Sequence, residues 1–413
     1  MNFSRRDFLR TSLAGGSLVS LGGTVPAFLS RTAAAAPAAA IPGAKDSILV
    51  VVELTGGNDG LNTVIPFKDA EYEKLRPNLK IPSSQVKKIN DQVGLHPAME
   101  ALAKLLDDSA LCVVQGVGYP NPSQSHFRSM DIWQAASTEQ SFVEGWLGKA
   151  LKKLPNPPSF HLAGSNSVSP LALAGAPHRV PTINTLEDFQ LRITALSGAD
   201  KQEQREFIEG VVKKEAGDGN LLDFVQRTAS NTYASSRRLQ EIGKNYQPKV
   251  PYPPSTLANH LKLAAQLIDA DIGTRIFYMS IEGFDTHANQ LATHANLLRQ
   301  LSEAMAAFFK DMAERGQKDR ILMMTFSEFG RRAAENGSRG TDHGSAAPML
   351  LVGGKVKSGV VGEHPSLTQL ELGNLKHGID FRQVYAAILD QWLGVPSKEV
   401  LGKAFEPAAV LQS

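Results

Sequence analysis

The stretch GTDHG, Gly340 to Gly344, sets an aspartate directly before a histidine and encloses the pair between glycines. Gly and Asp favour turns for steric reasons, so a plain turn would account for the composition. An acid and an imidazole in a flexed turn can also give one oxygen and one nitrogen to neighbouring cations. Similar residues gather elsewhere. GGNDGLNT holds Asp59 and Asn62; PSQSHFRSMDIW holds Ser123, Ser125, His126, Arg128 and Ser129. GFDTHANQ holds Asp285, His287 and Gln290; SEFGRR holds Glu328, Arg331 and Arg332; GEHPSL holds Glu363 and His364. Carboxylates and neutral imidazoles bind Zn²⁺, Mn²⁺, Mg²⁺ or Ca²⁺. Two such ions about 3.5–4 Å apart can clamp the attacking and leaving oxygens of an in-line displacement. A serine beside them can act as nucleophile without a separate base. An arginine offers forked donors to a phosphate- or sulfate-like group.

These residues need elements to position them. Five short apolar runs, SILVVVEL (47–54), ALCVVQGV (110–117), TRIFYMSI (274–281), RILMMTF (320–326) and PMLLVGG (348–354), read as buried strands. Their near-continuous apolarity, without alternation, is the pattern of a parallel sheet covered on both faces. Helical periodicity lies between them, at 96–108, 294–316 and 381–394. Strands alternating with helices predict an α/β fold with a mostly parallel sheet covered by helices on both faces. Ligands of such sheets collect at the carboxyl ends of strands, and each run is followed by one of the clusters above. The polar, charged segment 185–270 has no strong strand pattern and is expected to form a helical insertion or cap on a single domain spanning 41–413.

The first forty residues read as an address. SRRDFLR, a mild apolar stretch and the small-residue tract RTAAAAPAAA follow the order of a secretory signal, and the adjacent arginines specify the Tat type. The expectation is export by the Tat machinery to the periplasm or medium, with no stable membrane span once the signal is removed. The whole chain has net charge +2, but residues 1–40 carry four arginines against one aspartate, leaving 39 basic and 40 acidic residues. Nothing in that balance suggests a nucleic-acid partner. Cys112 is the single cysteine, so neither an intrachain disulfide nor a thiolate metal cluster is available.

The motifs GGNDGLNTVIP, SHFRSMDIW, GWLGKAL, GFDTHANQ, FSEFGRRAAENGSRGTDHG and FRQVYAAILDQWLG resemble the DUF1501 family of exported bacterial proteins. Through that family the chain is distantly similar to the alkaline phosphatase/sulfatase superfamily. That resemblance implies an alkaline-phosphatase-like fold, with Asp59, Ser125 (or Ser129), Asp285 with His287, Asp342 with His343, and His364 in the superfamily's slots. Glu53 is an alternative to Asp59 at the first strand end. The Asp285–His287 spacing is one residue, where the superfamily commonly has three. Cys112, inside a strand run, does not suit formylglycine chemistry.

The combined expectation is a metal-dependent hydrolase of phosphate or sulfate esters, acting on a small-molecule or glycan anionic ester. Asp59, Asp285, His287, Asp342, His343 and His364 would hold one or two divalent ions, with Glu328 a further ligand or an orienting group. Ser125 would be the nucleophile with His126 beside it, and Arg331 or Arg128 would bind the anion. The alternative is a non-catalytic scaffold of the same kind that binds an anionic glycan or partner protein. The other histidines, His96, His161, His178, His260, His294 and His377, are expected to be structural or solvent-facing.

Overall fold

A computed structural model describes residues 47–154, 159–164, 167–178, 180–186 and 245–412. The expected signal, 1–40, and most of the expected cap, 187–244, lie outside the described residues. The chain divides into two compact units, Lys45–Asn184 with Gln247–Ser413, and Met1–Ala44 with Thr185–Tyr246.

Its strands are β1 (Ile48–Thr55), β2 (Val64–Ile65), β3 (Lys87–Lys88), β4 (Gly94–Leu95), β5 (Leu111–Gly118) and β6 (Ser159–Leu162). They continue with β7 (Thr182–Ile183), β8 (Ile276–Glu282), β9 (Ile321–Phe326), β10 (Ala347–Gly353), β11 (Gly359–Val361) and β12 (Ile379–Asp380). The main sheet runs β11-β5-β10-β9-β1-β8-β6-β7, with β12 also on β5, while β2, β4 and β3 form a small separate sheet. All five apolar runs are strands of the main sheet. β1 is parallel to both β8 and β9, whereas β10 is antiparallel to both β9 and β5.

The main helices are α1 (Glu100–Asp107), α2 (His126–Ala135), α3 (Thr256–Asp269), α4 (Gln290–Glu314) and α5 (Phe381–Ala387). Strand side chains alternate between faces. Leu49 and Val51 of β1 and Met324 of β9 join a core with Trp133 of α2 and Phe381 and Tyr385 of α5. On the opposite face α4 packs on β9 and β10, α3 on β8 and α1 on β5. Covering both faces removes water from both sides of each central strand, which is why those strands carry almost no polar residue. α3 falls within the segment expected as a cap, and it packs along α4 of the sandwich. Among the described residues no helix is long and apolar enough to cross a membrane.

The direction of β10 decides where its flanking residues go. Its first residue, Ala347, pairs with Val117 at the end of β5. The ends of β1, β5, β8 and β9 and the start of β10 therefore share one edge of the sheet. Asp342 and His343, after β9 and before β10, reach that edge. The far end of β10 lies at the opposite edge, so the expectation of ligands directly after this run is corrected. The chain returns through β11, parallel to β5, and His364 follows it.

Candidate metal centre at the strand ends

Four loops meet at this edge. The loop after β9 folds back on itself: Gly344 donates to the Gly330 carbonyl at 2.8 Å, Gly330 to Ser345 at 2.8 Å and Arg332 to Asp342 at 3.0 Å. The glycines around Asp342–His343 have a steric reason. A Cβ on Gly340 would lie 2.2 Å from the His287 carbonyl carbon, and one on Gly344 would lie 2.4 Å from that of Arg331. GTDHG thus keeps the loops after β8 and β9 in backbone contact.

Three imidazoles converge on Asp285. His287 Nε2 is 3.0 Å from Asp285 Oδ1, His343 Nε2 is 3.3 Å from Oδ1, and His126 Nε2 is 3.5 Å from Oδ2. In each ring Nδ1 faces a group that can only accept. His126 Nδ1 lies 2.8 Å from Glu328 Oε1, His343 Nδ1 lies 2.8 Å from the Gln124 carbonyl, and His287 Nδ1 lies 3.4 Å from Asp342 Oδ1. A neutral imidazole has one proton; the shorter contacts favour Nδ1–H in His126 and His343, whereas His287 has its closer carboxylate on the Nε2 side, Asp285 Oδ1. The Nε2 atoms of His126 and His343 then present lone pairs beside Asp285, where His287 Nε2 also lies, 3.4 Å from Arg331 Nη1. Such outer partners fix the tautomer and orientation of metal-binding histidines. His126, Asp285 and His343 each place a ligand atom within 4.8 Å of the others, a spacing that could hold a metal ion.

The carboxylates are kept ionised. Burial raises the pKa of Asp285, but the hydrogen bond and charge of Arg331, with His343 and His287, outweigh it and hold it below the usual value. The Asn336 amide, 3.1 Å from Asp342 Oδ1, is the main cause holding Asp342 low, with His287 and Arg332 adding to it.

Glu328 is fully buried and accepts from Gly56 N–H at 2.8 Å as well as facing His126, so it orients the ring from behind. Ser125 is exposed at the N-cap of α2, and its side chain makes no capping hydrogen bond. Ser129 differs. It is buried, donates to the Glu328 carbonyl and contacts Tyr119 Oη at 2.8 Å, while Tyr119 Oη accepts from Ser123 N–H at 2.9 Å. That chain ties the start of α2 to the loop after β9. Of the two serines, only Ser125 has a free hydroxyl at the surface.

Several expected residues stand elsewhere. Arg331 is 1% exposed, and its guanidinium donates to carbonyls of Gly57 (2.7 Å), Thr341 (2.8 Å), Phe284 (3.1 Å) and Gly56, and to Asp285 Oδ1 (2.6 Å). It clamps three loops, and its Nη1 also lies 3.4 Å from His287 Nε2, so its donors are taken up within the protein, which corrects its expected anion-binding role. Arg128 is likewise bound to the Thr138, Glu139 and Gln140 carbonyls. Arg332, which its sequence did not distinguish, is exposed beside Asp342.

Asp59 does not join the cluster either. It is fully buried in an ion pair with Arg76 and accepts from Gln290; burial raises its pKa, but Arg76 more than reverses this. Arg76 and Gln290 both engage Oδ2, while Oδ1 is buried without a hydrogen-bond partner, so the charge of the carboxylate is already matched by an arginine. Glu53 is also buried, held by Tyr278, Gln134 and Thr55, with its pKa raised chiefly by burial. His364 lies apart, beside Gln115 on β5. His96, His161 and His294 are buried and pushed down to about 4 by burial, as expected of structural histidines.

The model of the family described as a protein of unknown function, DUF1501, matches residues 46–403, and the chain belongs to that family. No curated protein shows significant sequence similarity to it. Among solved structures it is similar to Ps i-CgsB in complex with k-i-k-neocarrahexaose, at 12% identity and TM-score 0.35, covering 88% of this chain and 73% of that one. It is similar to PsFucS1 sulfatase from Pseudoalteromonas sp., at 10% identity and TM-score 0.36, covering 89% and 73%. Alkaline phosphatase from the Antarctic bacterium TAB5 matches at 12% identity and TM-score 0.28, covering 75% and 92%.

Proposed function

We propose that this protein is an exported, metal-dependent hydrolase of phosphate or sulfate esters. The observation that carries the reading is the convergence of three imidazole Nε2 atoms on Asp285. His287 Nε2 and His343 Nε2 are 2.9 Å apart, close enough to share one proton or, with both nitrogens unprotonated, to flank one cation. One or two divalent ions (Zn, Mn, Mg or Ca) suit this nitrogen and oxygen donor set. His126, Asp285, His287 and His343 would hold them, with Glu328, Asp342 and the Gln124 carbonyl orienting the rings. A bound ion supplies Lewis acidity to an ester oxygen and lowers the proton affinity of a nearby hydroxyl.

The chain's own groups do the rest. Ser125 Oγ, adjacent in sequence to His126, forms the bond to phosphorus or sulfur as the ester oxygen leaves; water then releases the acid and restores the hydroxyl. The N-terminus of α2 points backbone N–H groups at the developing negative charge. Arg332, exposed at the rim, attracts the anionic substrate. Arg331 acts as a positioning residue for Asp285. The twin-arginine segment at the N-terminus supports delivery by the Tat machinery to the periplasm or medium.

The test is metal analysis of the purified mature protein beside Asp285→Asn with His343→Ala, followed by assays with p-nitrophenyl phosphate and p-nitrophenyl sulfate. The reading expects stoichiometric metal and ester turnover in the wild type and neither in the variant. Metal-free wild-type protein, purified without chelators, would overturn it.

A further inference from the structure

β5 is buried along its whole length, yet it carries a glutamine, Gln115, 3% exposed. Its pairing with β10 is irregular at this point. Ala347 pairs with Val117 and Met349 with Val114, so three residues of β5 span the distance of two on β10. Gly116 takes φ +60°, a left-handed conformation that a glycine adopts without strain. This is a β-bulge, which re-aims a side chain that regular alternation would bury in the core. The core face of β5 slips accordingly, from Cys112 and Val114 to Val117.

The re-aimed side chain lines a cavity of about 550 Å³. The β5–β11 edge forms one wall with Gln115, Val360 and His364, and the loops around the small sheet form the other with Lys68, Asp69 and Val93. Gln115 Nε2 and both ring nitrogens of His364 are buried without a hydrogen-bond partner. Burial holds His364 neutral, down to about 4, although Asp69 opposes it. Buried polar groups are nearly always paired, and leaving one unpaired costs about 1–3 kcal/mol. Both residues line this cavity, and a ligand that reached their unpaired nitrogens would complement them.

A neutral imidazole offers one donor and one acceptor, and the amide offers donors. A phosphate or sulfate accepts hydrogen bonds, and would face the carboxylates of Asp69 and Glu363 against one cation, Lys68, among the described residues of the same walls. A metal cation would face the amide N–H groups. A hydroxyl both donates and accepts, and the apolar edges of Val93 and Val360 suit the C–H face of a sugar ring. The volume falls in the roughly 300–1,000 Å³ range of small-molecule sites.

We infer that the cavity between β5, β11 and the small sheet is a binding site for a neutral, polyhydroxylated ligand, a sugar residue or short neutral glycan segment. None of the strand-end imidazoles lines it, so it stands whatever the chemistry at Asp285. The experiment is saturation-transfer NMR and thermal melting of the full protein with millimolar maltotriose, cellotriose and galactobiose, beside inorganic phosphate and CaCl₂. Gln115→Leu and His364→Phe are the variants, each shown folded by its melt without ligand. At least one saccharide should transfer saturation and raise the wild-type Tm, with affinity falling about tenfold or more in both variants as the hydrogen bonds are lost. No response to any of the three sugars overturns the inference. So does equal response in the variants, or a response to phosphate or calcium alone that these substitutions remove.

Discussion

His287 Nε2 and His343 Nε2 stand 2.9 Å apart, and the opposite nitrogen of each ring is held by an acceptor, Asp342 Oδ1 and the Gln124 carbonyl. The two rings come from the loops after β8 and after β9, so their meeting depends on the parallel alignment of those strands either side of β1. Each Nε2 also faces Asp285 Oδ1, at 3.0 and 3.3 Å, so both rings and the carboxylate form one cluster.

Outer partners should therefore matter to metal affinity. Glu328→Gln keeps an acceptor near His126 Nδ1 but removes the charge behind it. Metal affinity is expected to fall about 10–100-fold, read by competition with a chromophoric chelator. Unchanged affinity would mean that His126 does not bind the ion.

The two serines should separate cleanly. Ser125→Ala is expected to abolish ester turnover while leaving metal content and Tm unchanged, because its hydroxyl makes no capping bond. Ser129→Ala should instead lower stability by about 1–2 kcal/mol, since it leaves the buried Glu328 carbonyl and Tyr119 hydroxyl short of a partner. Retained turnover in Ser125→Ala would remove Ser125 as the nucleophile.

Arg76→Met should destabilise the fold by about 3–5 kcal/mol, because it strands the buried Asp59 carboxylate. Denaturant titration measures this. Arg331→Lys should also destabilise, since an ammonium cannot bridge the Gly57, Thr341 and Phe284 carbonyls together.

Acid should destabilise the protein in two stages. His96 and His294 are pushed from 6.5 down to about 4, so the unfolded chain binds more protons between those values. Stability present above pH 6.5 is then lost as pH falls toward 4, at up to about 1.4 kcal/mol per pH unit for each ring. Asp59, with its pKa lowered, contributes stability above the ordinary carboxylate value and loses it as pH falls further. Melts across this range should show the first stage flattened in His294→Gln; an unaltered slope would remove His294 as a cause.

Much of this protein was legible in its sequence because its local signals are strong. The five apolar runs became strands since only a strand covered on both faces buries every side chain, and the helical stripes at 96–108 and 294–316 lie within or overlap helical segments. GTDHG stood out in the sequence because it sets an acid beside an imidazole in a flexed turn, although a plain turn would account for the same glycines. What the sequence could not decide was direction and partner. Nothing local says that β10 runs antiparallel, yet that reversal brings the Asp342–His343 loop to the edge shared by the ends of β1, β5, β8 and β9, while His364 follows β11 and lines a separate cavity. Asp59 and Arg331 had the right chemical types for a metal ligand and an anion binder. Arg76, distant from Asp59 in function though only seventeen residues away, and the four carbonyls around Arg331 claimed them instead. Residue type is set by sequence, but a charged group's role depends on which opposite group reaches it first in a low-dielectric interior, and only the tertiary fold settles that.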